Sequence, residues 1–173
     1  DHLPPLEAFQ TSGGTSTLPD TFLGKIRELD YKTIRYAGHC EKFKTMIDLG
    51  LCSSAEISVG NAKITPRKLF GELLQKNLPA DEPDYVLVRL EFVGEKDGAK
   101  KNLRYDIVDK FDEQTNLSAM MRTTAFPASI IAQMMAAGAT SERGAIPQEK
   151  AIDAETFVAN LERRNIKIKI NWL

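Results

Sequence analysis

Tyr85-Val86-Leu87-Val88-Arg89-Leu90-Glu91-Phe92-Val93 carries the clearest strand signature in the chain. Lys96-Asp97-Gly98 follows it, and then Leu103-Arg104-Tyr105-Asp106-Ile107-Val108. Two β-rich runs joined by turn chemistry predict a hairpin. Charged residues alternate with apolar ones, Arg89 and Glu91 in the first run and Arg104 and Asp106 in the second, which implies one covered face and one wetter face. A central hairpin places antiparallel pairing at the heart of the fold.

Working outward, Thr65-Pro66 reads as an N-cap with proline at the first helical position. Leu69, Phe70, Leu73 and Leu74 then line the core face of a helix that Pro79 ends, and Ala80 to Pro83 reads as an acidic turn. Glu56-Ile57-Ser58-Val59 is a short strand or bend. Before it, Tyr31 to Tyr36 reads as a strand, and a helix with a single apolar face begins at His39 and stops at Leu49-Gly50. Thr17 to Phe22 holds one helical turn with an early Pro19. Leu6 to Phe9 is an apolar start. Thr11-Ser12-Gly13-Gly14-Thr15-Ser16-Thr17 is a loop by composition.

Downstream, Ile130, Ile131, Met134 and Met135 recur at helical spacing after Phe126-Pro127, with Gly138 as the stop. Small residues flank this helix and charges are scarce, so it should be the most buried one. Ser141 to Lys150 is a loop. Asp153 can cap a last helix through Leu161. Ile166, Ile168 and Ile170 alternate with Lys167 and Lys169, the pattern of a half-buried edge strand with lysine protection. The expectation is an α+β fold: a mixed, largely antiparallel sheet with helices mainly on one face.

The chain has 173 residues, of which 42% are hydrophobic and 27% charged, so a packed core is expected rather than disorder. Residues 1–173 are read as one domain. The chain opens at Asp1 without a signal-like stretch, the expectation for a segment processed or excised from something longer. Lys plus Arg is 23 and Asp plus Glu is 24, a net charge of −1, which argues against a nucleic-acid partner. No apolar run approaches the roughly 20 residues that span a bilayer, so no membrane partner is expected. Cys40 and Cys52 are the only cysteines, and His2 and His39 the only histidines. That set is too small for a disulfide scaffold, lacks zinc-ligand spacing and points to the reducing cytoplasm, with no metal expected.

No GxGxxG, GxxxxGK[ST] or GxSxG occurs. Three polar groups remain. The amides and hydroxyls from Gly13, Gly14 and Thr15 to Thr17 could cup a carboxylate. Arg35, Tyr36 and His39 sit at a strand-to-helix junction, where His39 is either a capping residue or a proton-transfer group. Arg122, Thr123 and Thr124 stand ahead of the apolar helix, with amides and hydroxyls aimed at its N-terminus. Arg122 is either an internal salt-bridge residue or a clamp for a carboxylate.

Several of these segments resemble one family. They are Leu6-Glu7-Ala8-Phe9 through Gly13-Gly14-Thr15-Ser16-Thr17-Leu18-Pro19, then Leu29-Asp30-Tyr31-Lys32-Thr33-Ile34-Arg35-Tyr36 with Gly38-His39, and Ala119 to Ala128. Across nearly its whole length the chain is similar to the catalytic and dimerisation domain of saccharopine dehydrogenase-like enzymes, in particular the lysine 6-dehydrogenase branch. The resemblance implies an NAD or NADP hydride carrier held by a separate N-terminal Rossmann domain, which this chain lacks. It also implies a homodimer built through the sheet, and oxidation of the C–N bond of lysine or a saccharopine-like amino acid, or the reverse. The fragment alone is expected to be inactive. His39 and Tyr36 are the proton-transfer candidates. Arg35, Arg122, Thr123, Thr124 and the Gly13 to Thr15 backbone are the substrate-binding candidates. Two other readings compete: a non-catalytic dimerisation module and an amino-acid-binding module. Tyr85 to Val93 with Leu103 to Val108 is the candidate dimer interface, and both runs also fit an internal core face.

Overall fold

Every strand ladder in the computed structural model, which describes residues 3–11, 13–79, 82–140 and 142–173, is antiparallel. The class is α+β, as the sequence predicts. The strands form three separate sheets, of two, two and three strands, where the sequence pattern suggested one mixed sheet. The chain divides into two units, residues 1–81 and 82–173. Asp1, His2, Ser12, Ala80, Asp81 and Ser141, which figure in the sequence analysis, lie outside the described residues.

In the first unit, β1 (Leu6–Phe9) pairs with β2 (Thr33–Tyr36), with α1 (Leu18–Phe22) between them. The apolar start is thus a strand, ordered by a partner 24 to 30 positions along the chain. Gly38, at φ 87°, lets the chain turn straight from β2 into α2 (His39–Asp48). β3 (Ile57–Val59) pairs with β4 (Ala62–Ile64), a short strand that sequence pattern did not reveal. α3 (Pro66–Asn77) begins at the expected Thr65-Pro66 signal. Pro66 is the one buried residue among those described in this unit.

In the second unit, Asp97 and Gly98 both take positive φ, 55° and 74°, which a two-residue hairpin turn of type I′ requires. β5 (Tyr85–Lys96) and β6 (Ala99–Lys110) therefore pair along their full lengths, and β7 (Ile168–Trp172) joins the other side of β6. Ile107 and Ile168 stand opposite each other and pack against Ile130, Met134, Leu161 and Ile166, the buried core. Ile130 and Met134 belong to α4 (Ala119–Ala136), and Leu161 to α6 (Ala154–Arg163); a single turn, α5 (Gln148–Ala151), precedes α6. The helix-covered face of the sheet thus carries Ile107 and Ile168. The opposite face carries Arg89, Glu91, Arg104 and Asp106.

α4 corrects one expectation. Arg122, Thr123 and Thr124 were placed ahead of this helix; they lie inside it, and Pro127 is an interior residue. Interior proline costs about 3 kcal/mol. The cost is offset at the start of the helix, where the Ser118 hydroxyl accepts from the Met121 amide and the Asp84 carboxylate accepts from Ala119 and Met120 at 2.6 and 2.9 Å. α6 starts as predicted, with Asp153 accepting from the Thr156 amide at 2.8 Å.

Candidate functional site

Strand alternation sorts the residues of the β1–β2 ladder. Glu7 stands opposite Arg35 and Phe9 opposite Thr33, so these four side chains share one face. Leu6 and Tyr36 stand opposite each other and occupy the other face. His39, the first residue of α2, joins the Glu7 side. Its ring stacks between Phe9, at 6.1 Å, and Phe43, at 4.6 Å. The two proton-transfer candidates, His39 and Tyr36, are therefore not brought together on one face of the ladder.

Glu7 is the residue that sequence reading missed. Its carboxylate accepts from the Cys40 amide at 2.7 Å, at the N-terminus of α2. That bond, foremost, holds the Glu7 carboxyl below its ordinary range; partial desolvation opposes it, and the amides of Gly38 and His39 and the charge on His39 add to the lowering. The available signal was a lone acid among apolar residues in Leu6-Glu7-Ala8-Phe9. Its partner lies 33 positions away, which pattern cannot supply.

Arg35 is exposed. It donates to the carbonyl of its own neighbour Ile34 at 2.9 Å, and its guanidinium reaches solvent beside Glu7. Chemically, this face offers a cation that can grip a carboxylate, an imidazole, and an ionised carboxylate close to that imidazole.

The glycine loop has two different steric reasons for its residues. Gly13 adopts φ 83°, open to glycine and strained for others. At Gly14 an added Cβ would run into the Tyr31 ring. The Thr15 carbonyl accepts from Leu18, and Thr15 borders an open hollow of about 300 Å³ lined also by Phe22, Leu23 and Ile26.

Arg122, Thr123 and Thr124 belong to the second unit. Arg122 is 4% exposed. Its Nε and Nη2 donate to the two oxygens of Asp109 at 2.9 and 3.3 Å, and Nη1 donates to Asp112 at 2.9 Å. Nη2 also reaches the carbonyls of Arg164 and Asn165, at the end of α6. Of the two roles open to Arg122, this geometry supports the internal one: two aspartates neutralise it and no face is left for a ligand. The Thr123 hydroxyl donates back to the Ala119 carbonyl at 2.8 Å, and Thr124 turns to Met120 Sδ. The amides at the α4 N-terminus are taken by Asp84 and Ser118, so the carboxylate-binding helix start expected there is filled by the chain itself.

The model of the saccharopine dehydrogenase C-terminal domain matches residues 2–166. The chain belongs to that family. Family members are associated with NAD(P)-binding enzymes, and an N-terminal Rossmann domain and a dimer interface are expected at family level. No GxGxxG fingerprint occurs in the sequence, and the paired glycines precede only the five-residue α1. Among the described residues no helix is long and apolar enough to cross a membrane.

Proposed function

We propose that this saccharopine dehydrogenase C-terminal domain is the substrate-binding and dimerising part of a cytoplasmic NAD(P)-dependent oxidoreductase. Its substrate is lysine or a saccharopine-like amino acid, and its reaction is oxidation of a C–N bond to an imine or the reverse. The hydride carrier belongs to a separate N-terminal Rossmann domain, and the chain works as a homodimer. Family membership supports the reaction class. The observation that carries the site is the shared face of Glu7, Arg35 and His39.

Arg35 grips the substrate carboxylate, for which a guanidinium is geometrically matched. The Gly13 to Thr15 backbone completes the binding edge. His39 accepts the proton lost from nitrogen, and Glu7 favours the imidazolium that results. Arg122 acts indirectly, by tying α4 to Asp109 on β6 and to the end of α6, and Thr123 and Thr124 bond back within α4.

The test uses the longer reading frame that contains this chain, assayed for nicotinamide reduction with lysine and with saccharopine. Arg35→Ala raises KM about tenfold or more, the scale of one charge-assisted hydrogen bond. Unchanged KM and kcat in that variant would overturn the clamp. Absence of hydride transfer with either substrate would overturn the reaction and favour a binding or assembly module.

A further inference from the structure

β5 is the longest edge strand among the described residues. β5 is a terminal strand of its sheet, and no strand pairs with its outer side there. From Arg89 to Lys96 it is exposed, and Phe92 and Val93 are 53% and 81% exposed. It contains no proline, and a long edge that mixes exposed apolar residues with charges of both signs is a template for a strand of complementary pattern. The opposite edge, β7, is five residues long and guarded by Lys167 and Lys169.

The direction of each backbone group on β5 follows from the hairpin. Lys96 and Ala99 close a two-residue turn, so they form a hydrogen-bonded pair, and such pairs recur at every second residue. The Phe111 amide donating to the Asp84 carbonyl at 3.0 Å has the same phase. Even-numbered residues of β5 therefore bond inward to β6. The amides and carbonyls of Leu87, Arg89, Glu91 and Val93 point outward.

We propose that a second copy of this chain pairs along that edge, antiparallel, with the two-fold axis at Leu90. The sheet becomes continuous and six-stranded. This rests on the homodimer in the proposed function and fixes its geometry.

Self-complementarity decides the register. With the axis at Leu90, Val88 meets Phe92 of the second copy and Leu87 meets its Val93. Arg89 meets its Glu91, twice by symmetry. Arg89 already binds Asp106 at 2.7 Å, and Glu91 stands opposite Arg104. Arg104 in turn lies 2.9 Å from Asp106, off the hydrogen-bonding direction. Pairing thus continues an alternation of sign across the polar face: Asp106, Arg89, then Glu91 and Arg104 of the second copy. The neighbouring in-phase registers place Arg89 on Arg89 or Glu91 on Glu91, and like charges directly opposite are destabilising.

A cysteine scan of the whole chain, with Cys40 and Cys52 changed to serine, reads the axis directly. At the axis the Cα atoms of a non-hydrogen-bonded pair lie about 4.5 Å apart, within disulfide range. Residues one step off the axis lie about 8 Å from their own copies, beyond that range. Leu90→Cys should cross-link under mild oxidation at least about tenfold faster than Arg89→Cys or Glu91→Cys, that factor taken from the steep geometric limit on disulfides. Sedimentation of the unmodified chain runs alongside. A dimer whose Leu90→Cys form does not cross-link, or cross-links no faster than the flanking variants, overturns this register and leaves the homodimer standing. A monomer at all concentrations overturns both.

Discussion

Glu7 ties a strand residue to a helix terminus by a single carboxylate, and its protonation tests that tie. Its folded-state carboxyl is held below the ordinary range, chiefly by the Cys40 amide. Between the folded and unfolded values the unfolded chain binds the extra proton, so stability rises with pH through that window. The contribution is complete above the ordinary carboxylate range and is lost as pH falls through the lowered folded value. Glu7→Gln should therefore lower the urea midpoint near neutrality, with the deficit shrinking as the pH is taken down through the acid range. Far-ultraviolet circular dichroism at several pH values measures it. A deficit that stays constant across that range would remove the carboxylate from the argument. Little of this was legible in the sequence, because a capping acid that reaches across 33 positions leaves no local spacing to read. His39 was legible as a helix-start residue, and its stacking on Phe9 and Phe43 was not.

At the scale of elements, the hairpin of β5 and β6 was readable because its signals are local: alternating apolar residues and an Asp-Gly turn whose φ values are both positive. The start of α4 was misread for the opposite reason. Pro127 resembles a boundary, and the groups that overrule it, Asp84 and Ser118, act from a distant strand margin and from one hydroxyl. β4 was missed because three residues carry too little periodicity. Arg122 shows how a charged side chain can join elements: it links α4 to Asp109 on β6, to Asp112 and to the end of α6. Arg122→Ala leaves Asp109, 7% exposed, buried without its partner. The expected loss is about 3–5 kcal/mol in urea unfolding. Replacing the pair together, Arg122→Met with Asp109→Leu, should recover most of that loss, since apolar replacement removes the stranded charge as well. A double variant as unstable as Arg122→Ala would show that packing, and not the stranded carboxylate, sets the cost.

The two units differ in how much apolar surface they bury, and this difference governs the stability of the whole molecule. Residues 82–173 own the buried cluster of Ile130, Met134, Leu161 and Ile166, together with Ala119 and the Arg122 network. Among the described residues of 1–81 only Pro66 is buried, and Ile47, Leu49, Leu69 and Leu73 are exposed there. Burial of apolar area is the main favourable term in folding, and a unit of this size has little margin over its conformational entropy. Residues 1–81 should therefore open at lower denaturant than residues 82–173. The sequence provides a selective probe, because its single tryptophan, Trp172, lies in β7 of the second unit. Far-ultraviolet dichroism reports helices and strands of both units. In a urea titration the dichroism transition should begin before the Trp172 fluorescence transition, and amides of α2 and α3 should exchange faster than those of α4 and β6. Superimposable transitions with uniform amide protection would mean that the two units unfold as one cooperative body, and that the thin core of the first is compensated within this chain.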